Sequence, residues 1–342
     1  MKKLFFLILS FLITGTLFYY LVSYSRWSDW RRLFFALDPR YLLAYLLLYA
    51  AAIFLRTVRY SILLKASLSG VRPSFGAVFL VTSVRNMLVD LLPARTGEIS
   101  YPVLLNRIYR VNLYPSLTSF AYAFLFDFLA LGPLFGLAGL MDSLISSSHY
   151  PKLWLFSALF ILIGTLLVFG VEPFFRKLAH WLNRRSYSLL KENRTLRRVP
   201  EICNGISQSF RDLREARIFW KILGISLAIR SLKYSYLYLL LMAFVQAMTG
   251  TNVSLPFLII FMGLVASEAA ASLPISGLAG FGFYEGVLGT VLSTQGFSAS
   301  QALLLSFGMH FLTHVVGYSW GGLALLLILI HSARVRRNEK RD

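Results

Sequence analysis

Hydrophobic stretches long enough to cross a membrane alternate with short polar segments along the chain. A helical span needs about 20 apolar residues. By this criterion the pattern predicts full spans at residues 4–22, 40–58, 113–140, 153–171, 219–245 and 299–331. No Asp, Glu, Lys or Arg occurs from Gly286 to Ala333. The chain is therefore predicted to be an all-α polytopic membrane protein with about six full transmembrane helices.

Two further hydrophobic stretches, 74–110 and 254–297, are interrupted by proline and glycine. Both residue types break helices, because proline lacks a backbone N–H and glycine loosens the backbone. The freed backbone groups cannot face lipid, so they must lie within protein or along a wet cavity. The break residues are Pro93, Gly97, Pro274, Gly277, Gly280 and Gly282. Interruptions in corresponding halves of a chain indicate the binding site of a transporter.

The distribution of Lys and Arg predicts how the spans are oriented. Eleven of these cations lie in the loop 172–218, and the tail 332–342 is also basic. The positive-inside rule makes both segments cytoplasmic, together with Lys2 and Lys3 at the start of the chain. A further cytoplasmic turn is indicated by Arg56, Arg59, Lys65 and Arg72. We expect a protein of the cell (inner) membrane with cytoplasmic N- and C-termini.

The linker 141–152 has a single lysine and should be external. Counting crossings from these assignments, the stretch 74–110 enters and leaves the membrane on the cytoplasmic side. The stretch 254–297 enters and leaves on the opposite side. They are predicted to be two opposed re-entrant hairpins that form an inverted repeat. Arginines beside the external loop 23–39 disagree with the rule, and we expect them to flank an interfacial helix. They are Arg26, Arg31, Arg32 and Arg40, with Trp27 and Trp30 at head-group level.

Composition excludes several classes of protein. The chain is 57% hydrophobic and 14% charged, unlike a soluble domain, and its net charge of +19 is concentrated in loops. We therefore expect no nucleic-acid binding, although the loops can attract anionic lipid head groups. The segment 172–218 is too short for a catalytic domain, and an amphipathic helix plus linker is expected there. Cys203 is placed in this polar loop and can form no internal disulfide.

Four carboxylates are candidates for function because they lie in the interrupted stretches. Glu98 and Glu285 follow the breaks, whereas Asp90 and Glu268 precede them. A carboxylate at membrane depth is expensive and is a functional-site hypothesis by default. The alternative is a structural role, as a helix cap or as the partner of a nearby arginine.

Cations within the membrane suggest a phosphate-bearing ligand. Arg85 and Arg95 lie in the first interrupted stretch, and Arg230 and Lys233 share one face of the span 219–245. Arginine suits phosphate recognition because its planar guanidinium donates two parallel hydrogen bonds. Pairing with the carboxylates or snorkelling to the membrane edge is the alternative.

His310 and His314 are spaced for a metal, but no Cys or carboxylate cluster completes a site. Packing or a polar lining is favoured, and no metal is expected. Asp127 is a weaker candidate for lining or helix pairing, and Gly317, Gly321 and Gly322 favour close helix packing. The chain contains no Walker A sequence, so neither ATP nor another cofactor is expected.

The two break motifs resemble the flippase-like membrane domain of the lysylphosphatidylglycerol synthase transmembrane family. The resemblance rests on Asn86, on Leu92-Pro93-Ala94-Arg95-Thr96-Gly97-Glu98, and on Leu273-Pro274-Ile275-Ser276-Gly277 through Gly280-Phe281-Gly282 to Glu285. It would cover nearly all of the chain, as a single membrane domain over residues 1–342. One departure is that family members often have a second proline near Ser276 and Gly277.

The resemblance implies translocation of a lipid with a charged or phosphate head group between leaflets. The alternative is a membrane scaffold or lipid-binding partner of a separate glycosyltransferase or lipid synthase. A third possibility, an enzyme acting on a polyprenyl-phosphate, lacks an acidic cluster such as DDxxD. No soluble synthase domain is found in the sequence, so lipid aminoacylation by this chain alone is not expected.

Overall fold

The computed structural model describes residues 2–67, 72–146, 151–189, 199–251 and 253–338, and these contain helices and turns but no β-strand. The α-helices are α1 (Lys2–Tyr24), α2 (Trp27–Phe35), α3 (Pro39–Ser67), α4 (Phe75–Leu91), α5 (Ser100–Tyr109), α6 (Leu113–Leu129), α7 (Leu131–Ser146), α8 (Pro151–Leu189), α9 (Val199–Glu215), α10 (Phe219–Thr249), α11 (Phe257–Ala271), α12 (Phe283–Thr294) and α13 (Ala299–Asn338). The predicted all-α class is confirmed.

Within the described ranges, five helical segments are long and apolar enough to cross a membrane. They are Pro39–Ser67, Leu113–Leu144, Lys152–Leu182, Phe219–Thr249 and Ala299–Ala333. A sixth span results if Ile8–Tyr24 and Trp27–Phe35, which are bent by 105°, are counted together. The polytopic membrane fold is thus confirmed.

The bend between α1 and α2 has a local cause. Arg26 has extended backbone angles (φ −79°, ψ 150°), and its N–H donates to the carboxylate of Asp29 at 3.2 Å. This contact begins a new helix, since a side-chain acceptor three residues on satisfies one of the free N–H groups. The short helix α2 therefore lies where an interfacial helix was predicted, with Trp27 exposed.

The contacts divide the chain into two compact units. Unit 1 comprises Met1–Ile53, Thr82–Ser100 and Leu232–Asp342, and unit 2 comprises Phe54–Val81 and Tyr101–Ser231.

Unit 1 contains both helix breaks. After α4, the segment Pro93–Ile99 forms a 3-10 helix that leads directly into α5. After α11, the chain turns and forms a short 3-10 segment, Leu278–Gly280, before α12. The two 3-10 segments contact each other, and α12 packs against both α11 and α13. Each interrupted stretch is therefore a pair of helices joined by a break; their opposite entry into the membrane stays a prediction.

Glycine is required in both breaks. At Gly97 a Cβ would collide with the backbone carbonyl of Leu88, so only glycine lets the 3-10 segment lie against α4. Gly277 has φ +95°, and a Cβ there would collide with the backbone carbonyl of Phe281. A side chain at either position would displace the break from the neighbouring backbone.

Unit 2 contains α6 to α9. The amphipathic helix α9 packs against α6 and α8 and buries Cys203, Phe210 and Leu213. The assignment of Cys203 to a polar loop was therefore wrong, because its apolar neighbours form one face of a helix. Much of the segment 172–218 is helical, since α8 continues to Leu189 and α9 follows.

Candidate functional site

A cavity of about 140 Å³ lies in unit 1, beside both helix breaks. Its ionisable lining residues, apart from tyrosines, are Asp90, Arg95, Lys233, Glu268, His310 and His314. Its wall also contains Tyr45, Tyr49, Tyr236 and Tyr284, and the hydroxyl of Ser272. Charged side chains are rare in membrane helices and cluster around ligand or ion pathways. We call this space the unit 1 cavity.

The first break contributes a loosely held arginine. The Nε of Arg95 lies 3.5 Å from a carboxylate oxygen of Glu98, and Nη1 donates to the Ser272 hydroxyl at 3.4 Å. The Arg95 side chain remains 41% exposed. Glu98 is held more firmly by an ion pair with Arg85, which also donates to the amide oxygen of Asn86 at 3.1 Å. Arg95 is therefore the accessible end of a buried charge network.

Helices α10 and α11 contribute a second charge pair. The ammonium of Lys233 lies 2.5 Å from Oε1 of Glu268, while the hydroxyl of Tyr234 donates to Oε2 at 3.3 Å. Both charged side chains are about one-fifth exposed. The pair thus reaches the cavity while each partner offsets the cost of burying the other.

The second break is held by Glu285. One carboxylate oxygen accepts a hydrogen bond from the N–H of Gly282 at 2.7 Å, and the other accepts a hydrogen bond from Nδ1 of His310 at 2.6 Å. The next histidine, His314, donates from Nε2 to the carbonyl of Ala279 at 3.0 Å. Both histidines are therefore used to fix the break against α13.

Two cavity groups have no such partner among the described residues. The carboxylate of Asp90 makes no ion pair or hydrogen bond there, although its backbone carbonyl accepts from Tyr318 at 3.4 Å. The hydroxyl of Tyr45 is buried and also lacks a hydrogen-bond partner within the described ranges. A buried polar group normally has a partner, so the Tyr45 hydroxyl is available to a ligand. Asp90 is an exposed residue, and its carboxylate is open to a ligand for that reason.

The structure distributes the sequence-predicted residues over three places. Asp90, Arg95, Lys233, Glu268 and Gly280 line the unit 1 cavity. Glu98 and Glu285 lie one contact behind it, through Arg95 and His310, and Arg85 and Asn86 lie behind Glu98. The break backbone itself contains Pro93, Gly97, Pro274, Gly277 and Gly282.

Arg230 lies away from the other predicted site residues, because it belongs to unit 2. There its Nε lies 3.7 Å from the carboxylate of Asp127.

Sequence reasoning missed the tyrosines of the cavity wall. Tyr45 and Tyr49 lie at i and i+4 of α3, and both rings contact the ring of Tyr236. A repeated tyrosine on one face of a hydrophobic span was the available signal, since that face must satisfy its hydroxyl groups.

No metal-binding arrangement of three or more His, Cys, Asp or Glu side chains occurs among the described residues. The two histidines of α13 instead make the hydrogen bonds to Glu285 and Ala279.

Comparison with known proteins gives one family. The model described as lysylphosphatidylglycerol synthase TM region matches residues 7–321, which include both breaks and every residue that lines the unit 1 cavity. No curated protein and no solved structure gives a significant match.

Proposed function

Since the chain belongs to the lysylphosphatidylglycerol synthase TM-region family, we propose that it moves a lipid with a charged or phosphate head group between the two leaflets of the membrane. Membership of this family supports a lipid-related role in a membrane. The TM region is the non-catalytic part of that family, and the proposal gives the chain no enzymatic step and no cofactor.

The unit 1 cavity is the observation that carries this proposal. A lipid can keep its acyl tails in the bilayer during translocation, so the protein need only lower the barrier for the head group. Arg95 is half-exposed and loosely held, and Lys233 reaches the same cavity. Their positive charges suit a phosphate, for which guanidinium donors are well arranged.

The remaining cavity groups complete the proposed mechanism. The hydroxyl of Tyr45 can donate to a phosphate oxygen, and the broken backbone supplies further polar groups where a continuous helix would supply none. Glu98 holds Arg85 and Arg95 in place, whereas Glu285 holds the second break. Glu285 and His310 also form a pair that could carry a coupling proton.

The same proposal covers location and partners. It places the chain in the cell (inner) membrane with both termini in the cytoplasm, following the basic loop 172–218 and tail 332–342. Its partners are membrane lipids, in particular anionic or phosphate-bearing ones, and a separate lipid-modifying enzyme that makes or uses the transported lipid. In this proposal the basic loops bind anionic lipid head groups and not nucleic acid.

Leaflet translocation in proteoliposomes tests the proposal. The purified full chain is reconstituted with labelled phosphatidylglycerol, phosphatidylcholine or polyprenyl-phosphate, and the label in each leaflet is measured over time. We expect movement of a phosphate-bearing lipid and a loss of about tenfold or more in Glu98→Gln, because a neutral amide no longer pairs with two guanidinium groups. Glu201→Gln, on the exposed side of α9, is the matched control.

If the folded parent protein moves no lipid, the proposal is contradicted. That result would favour the alternative of a membrane scaffold for a separate enzyme. Full activity of Glu98→Gln would contradict the assigned role of Glu98.

A further inference from the structure

Helix α2 lies between two apolar membrane segments. It follows Ile8–Tyr24 after a bend of 105°, and it precedes the span Pro39–Ser67. Its nine residues are roughly 14 Å long, so the helix cannot cross the bilayer by itself. A short helix that is turned by about a right angle from a span runs along the membrane surface. The position of α2 is therefore the head-group region of one leaflet.

One face of α2 is fixed to α13. Leu33 of this face is fully buried. The ring of Trp30 lies 5.5 Å from the ring of Phe307 in an edge-to-face contact. One turn further on, the ring of Phe34 lies 5.8 Å from the ring of Phe311. These contacts hold the helix in one rotational orientation, so the direction of its opposite face is fixed as well.

The opposite face of α2 combines exposed aromatic and cationic side chains. Trp27 is 76% exposed and Phe35 is 87% exposed, and Arg31 lies midway between them, four positions from each. Ser28 and Arg32 are exposed on the same side. We call these five residues the outer face of α2; none of them is among the described residues that line the unit 1 cavity. Aromatic rings beside arginines are typical of a helix that lies in a membrane interface.

The outer face carries a positive charge that its surroundings do not balance. Arg26, Arg31 and Arg32 are exposed, and none of them makes an ion pair within the described parts of the chain. Asp29 is the only acidic residue in the sequence 26–35, and its carboxylate accepts the backbone N–H of Arg26 at 3.2 Å. The segment thus has a net charge of +2. Because cations here disagree with the positive-inside rule, they need a local reason.

The charge of the outer face decides between a lipid and a second copy of the chain. In a symmetric dimer the same patch meets itself, so the arginines of the two copies would face each other. Like charges in such a contact are unfavourable. An anionic phospholipid instead brings the opposite charge in its head group, and its acyl chains accept the exposed rings of Trp27 and Phe35.

We propose that the outer face of α2 is a binding surface for anionic phospholipids in the leaflet along which the helix lies. Trp27 and Phe35 insert where the acyl chains begin, while Arg31 and Arg32 bind the phosphate groups above them. Each cation near a membrane surface favours anionic over zwitterionic lipid. The proposal concerns binding alone, so it does not depend on translocation through the unit 1 cavity.

Fluorescence quenching of a label on α2 tests this proposal. The full chain with Ser28→Cys in a Cys203→Ser background is labelled with bimane and reconstituted into vesicles of equal parts phosphatidylglycerol and phosphatidylcholine. Only the lipid that carries the bromine quencher differs between two otherwise identical preparations. We expect brominated phosphatidylglycerol to quench the label about twofold or more as strongly as brominated phosphatidylcholine, because the two arginines concentrate anionic lipid beside α2.

Removal of the two cations isolates their contribution. Arg31→Gln combined with Arg32→Gln should make quenching by the two lipids equal, since no charge then selects phosphatidylglycerol. Lys221→Gln, which removes an exposed cation in unit 2, should keep the preference of the parent protein. Both arginines are exposed, so the double variant should fold, and its thermal unfolding midpoint checks this.

Three results would overturn the proposal. Equal quenching by the two lipids in the parent protein would show that α2 does not select anionic head groups. Quenching by neither lipid would show that protein, such as a second copy of the chain, covers the outer face. A preference that persists in the folded double arginine variant would assign the selection to other cations of the chain. Translocation is not measured in this test, so a failure of the proposed function would leave its result unchanged.

Discussion

Glu285 illustrates how a single side chain stabilises a helix break. Its carboxylate is fully buried, and its two oxygens accept hydrogen bonds from Gly282 and His310. A buried charge is tolerated only when it is paired and hydrogen-bonded. The same residue thus caps α12 and ties the second break to α13.

Replacing Glu285 should destabilise the fold in a graded way. Glu285→Ala removes both contacts and leaves His310 unpaired, so we expect a loss of about 3 kcal/mol or more in the free energy of unfolding. Glu285→Gln should cost less, because an amide oxygen can still accept the Gly282 N–H. Thermal unfolding in detergent measures both variants, with the exposed Glu201→Ala as control. Equal midpoints for Glu285→Ala and the control would contradict this role.

The charged residues of the cavity could be predicted individually, but the partner of each one could not. Charges are rare in hydrophobic stretches, so Asp90, Arg95 and Lys233 are visible in the sequence. Helical spacing placed Arg230 beside Lys233, yet Lys233 pairs with Glu268 and Arg230 with Asp127. The partners come from other helices, and spacing within one helix does not specify them.

Arg59 shows the same limit. A cationic pattern assigned it to a cytoplasmic turn, but it is buried within α3. Its partners, Asp127 and Ser226, are far away in the sequence.

At the scale of elements, α13 packs tightly against α4 through Gly321. A Cβ at Gly321 would collide with the side chain of Met87 and lie 3.0 Å from the carbonyl of Ser83. The indole N–H of Trp320 also donates to the Ser83 hydroxyl at 3.3 Å. Small residues allow such close approach between membrane helices. Gly322, in contrast, faces open space.

The two neighbouring glycines should therefore respond in opposite directions to alanine. Gly321→Ala should destabilise the protein by about 1–3 kcal/mol, because it overpacks the contact with α4. Gly322→Ala should be neutral or stabilising by up to about 1 kcal/mol, since alanine favours the helix. Thermal unfolding in detergent compares the pair, and destabilisation of equal size would show that the α4–α13 contact is wrongly described.

The packing of α9 can be tested through Cys203. This thiol is 4% exposed, and burial raises its pKa, so little thiolate is present at neutral pH. We expect slow maleimide labelling that accelerates as the pH rises, because only the thiolate reacts. The neighbouring position 204 is exposed, so Asn204→Cys in a Cys203→Ser background should label rapidly. Equal labelling rates at the two positions would place α9 away from α6 and α8.

At the scale of the whole molecule, the fold class was the most predictable feature. Span-length apolar runs give the membrane helices, and Pro93 and Pro274 mark the two breaks. The bend between α1 and α2 was less visible, because it depends on the backbone of Arg26 and its contact with Asp29.

The orientation of the chain is a further prediction at this scale. Basic residues in the loop 172–218 and the tail 332–342 should keep both segments in the cytoplasm. A green fluorescent protein fused to the C-terminus should therefore fluoresce, while an alkaline phosphatase fused there should be inactive. The opposite pair of results would reverse the proposed topology.

Translocation measured in two matched lysine variants tests whether the lipid head group passes through the unit 1 cavity. Lys233 lines the unit 1 cavity, whereas Lys221 lies on an exposed part of the same helix. In proteoliposomes we expect Lys233→Gln to slow movement of the phosphate-bearing lipid by about tenfold or more, and Lys221→Gln to leave the rate unchanged. Equal rates in folded Lys233→Gln and the parent protein would contradict a role for the unit 1 cavity in head-group passage.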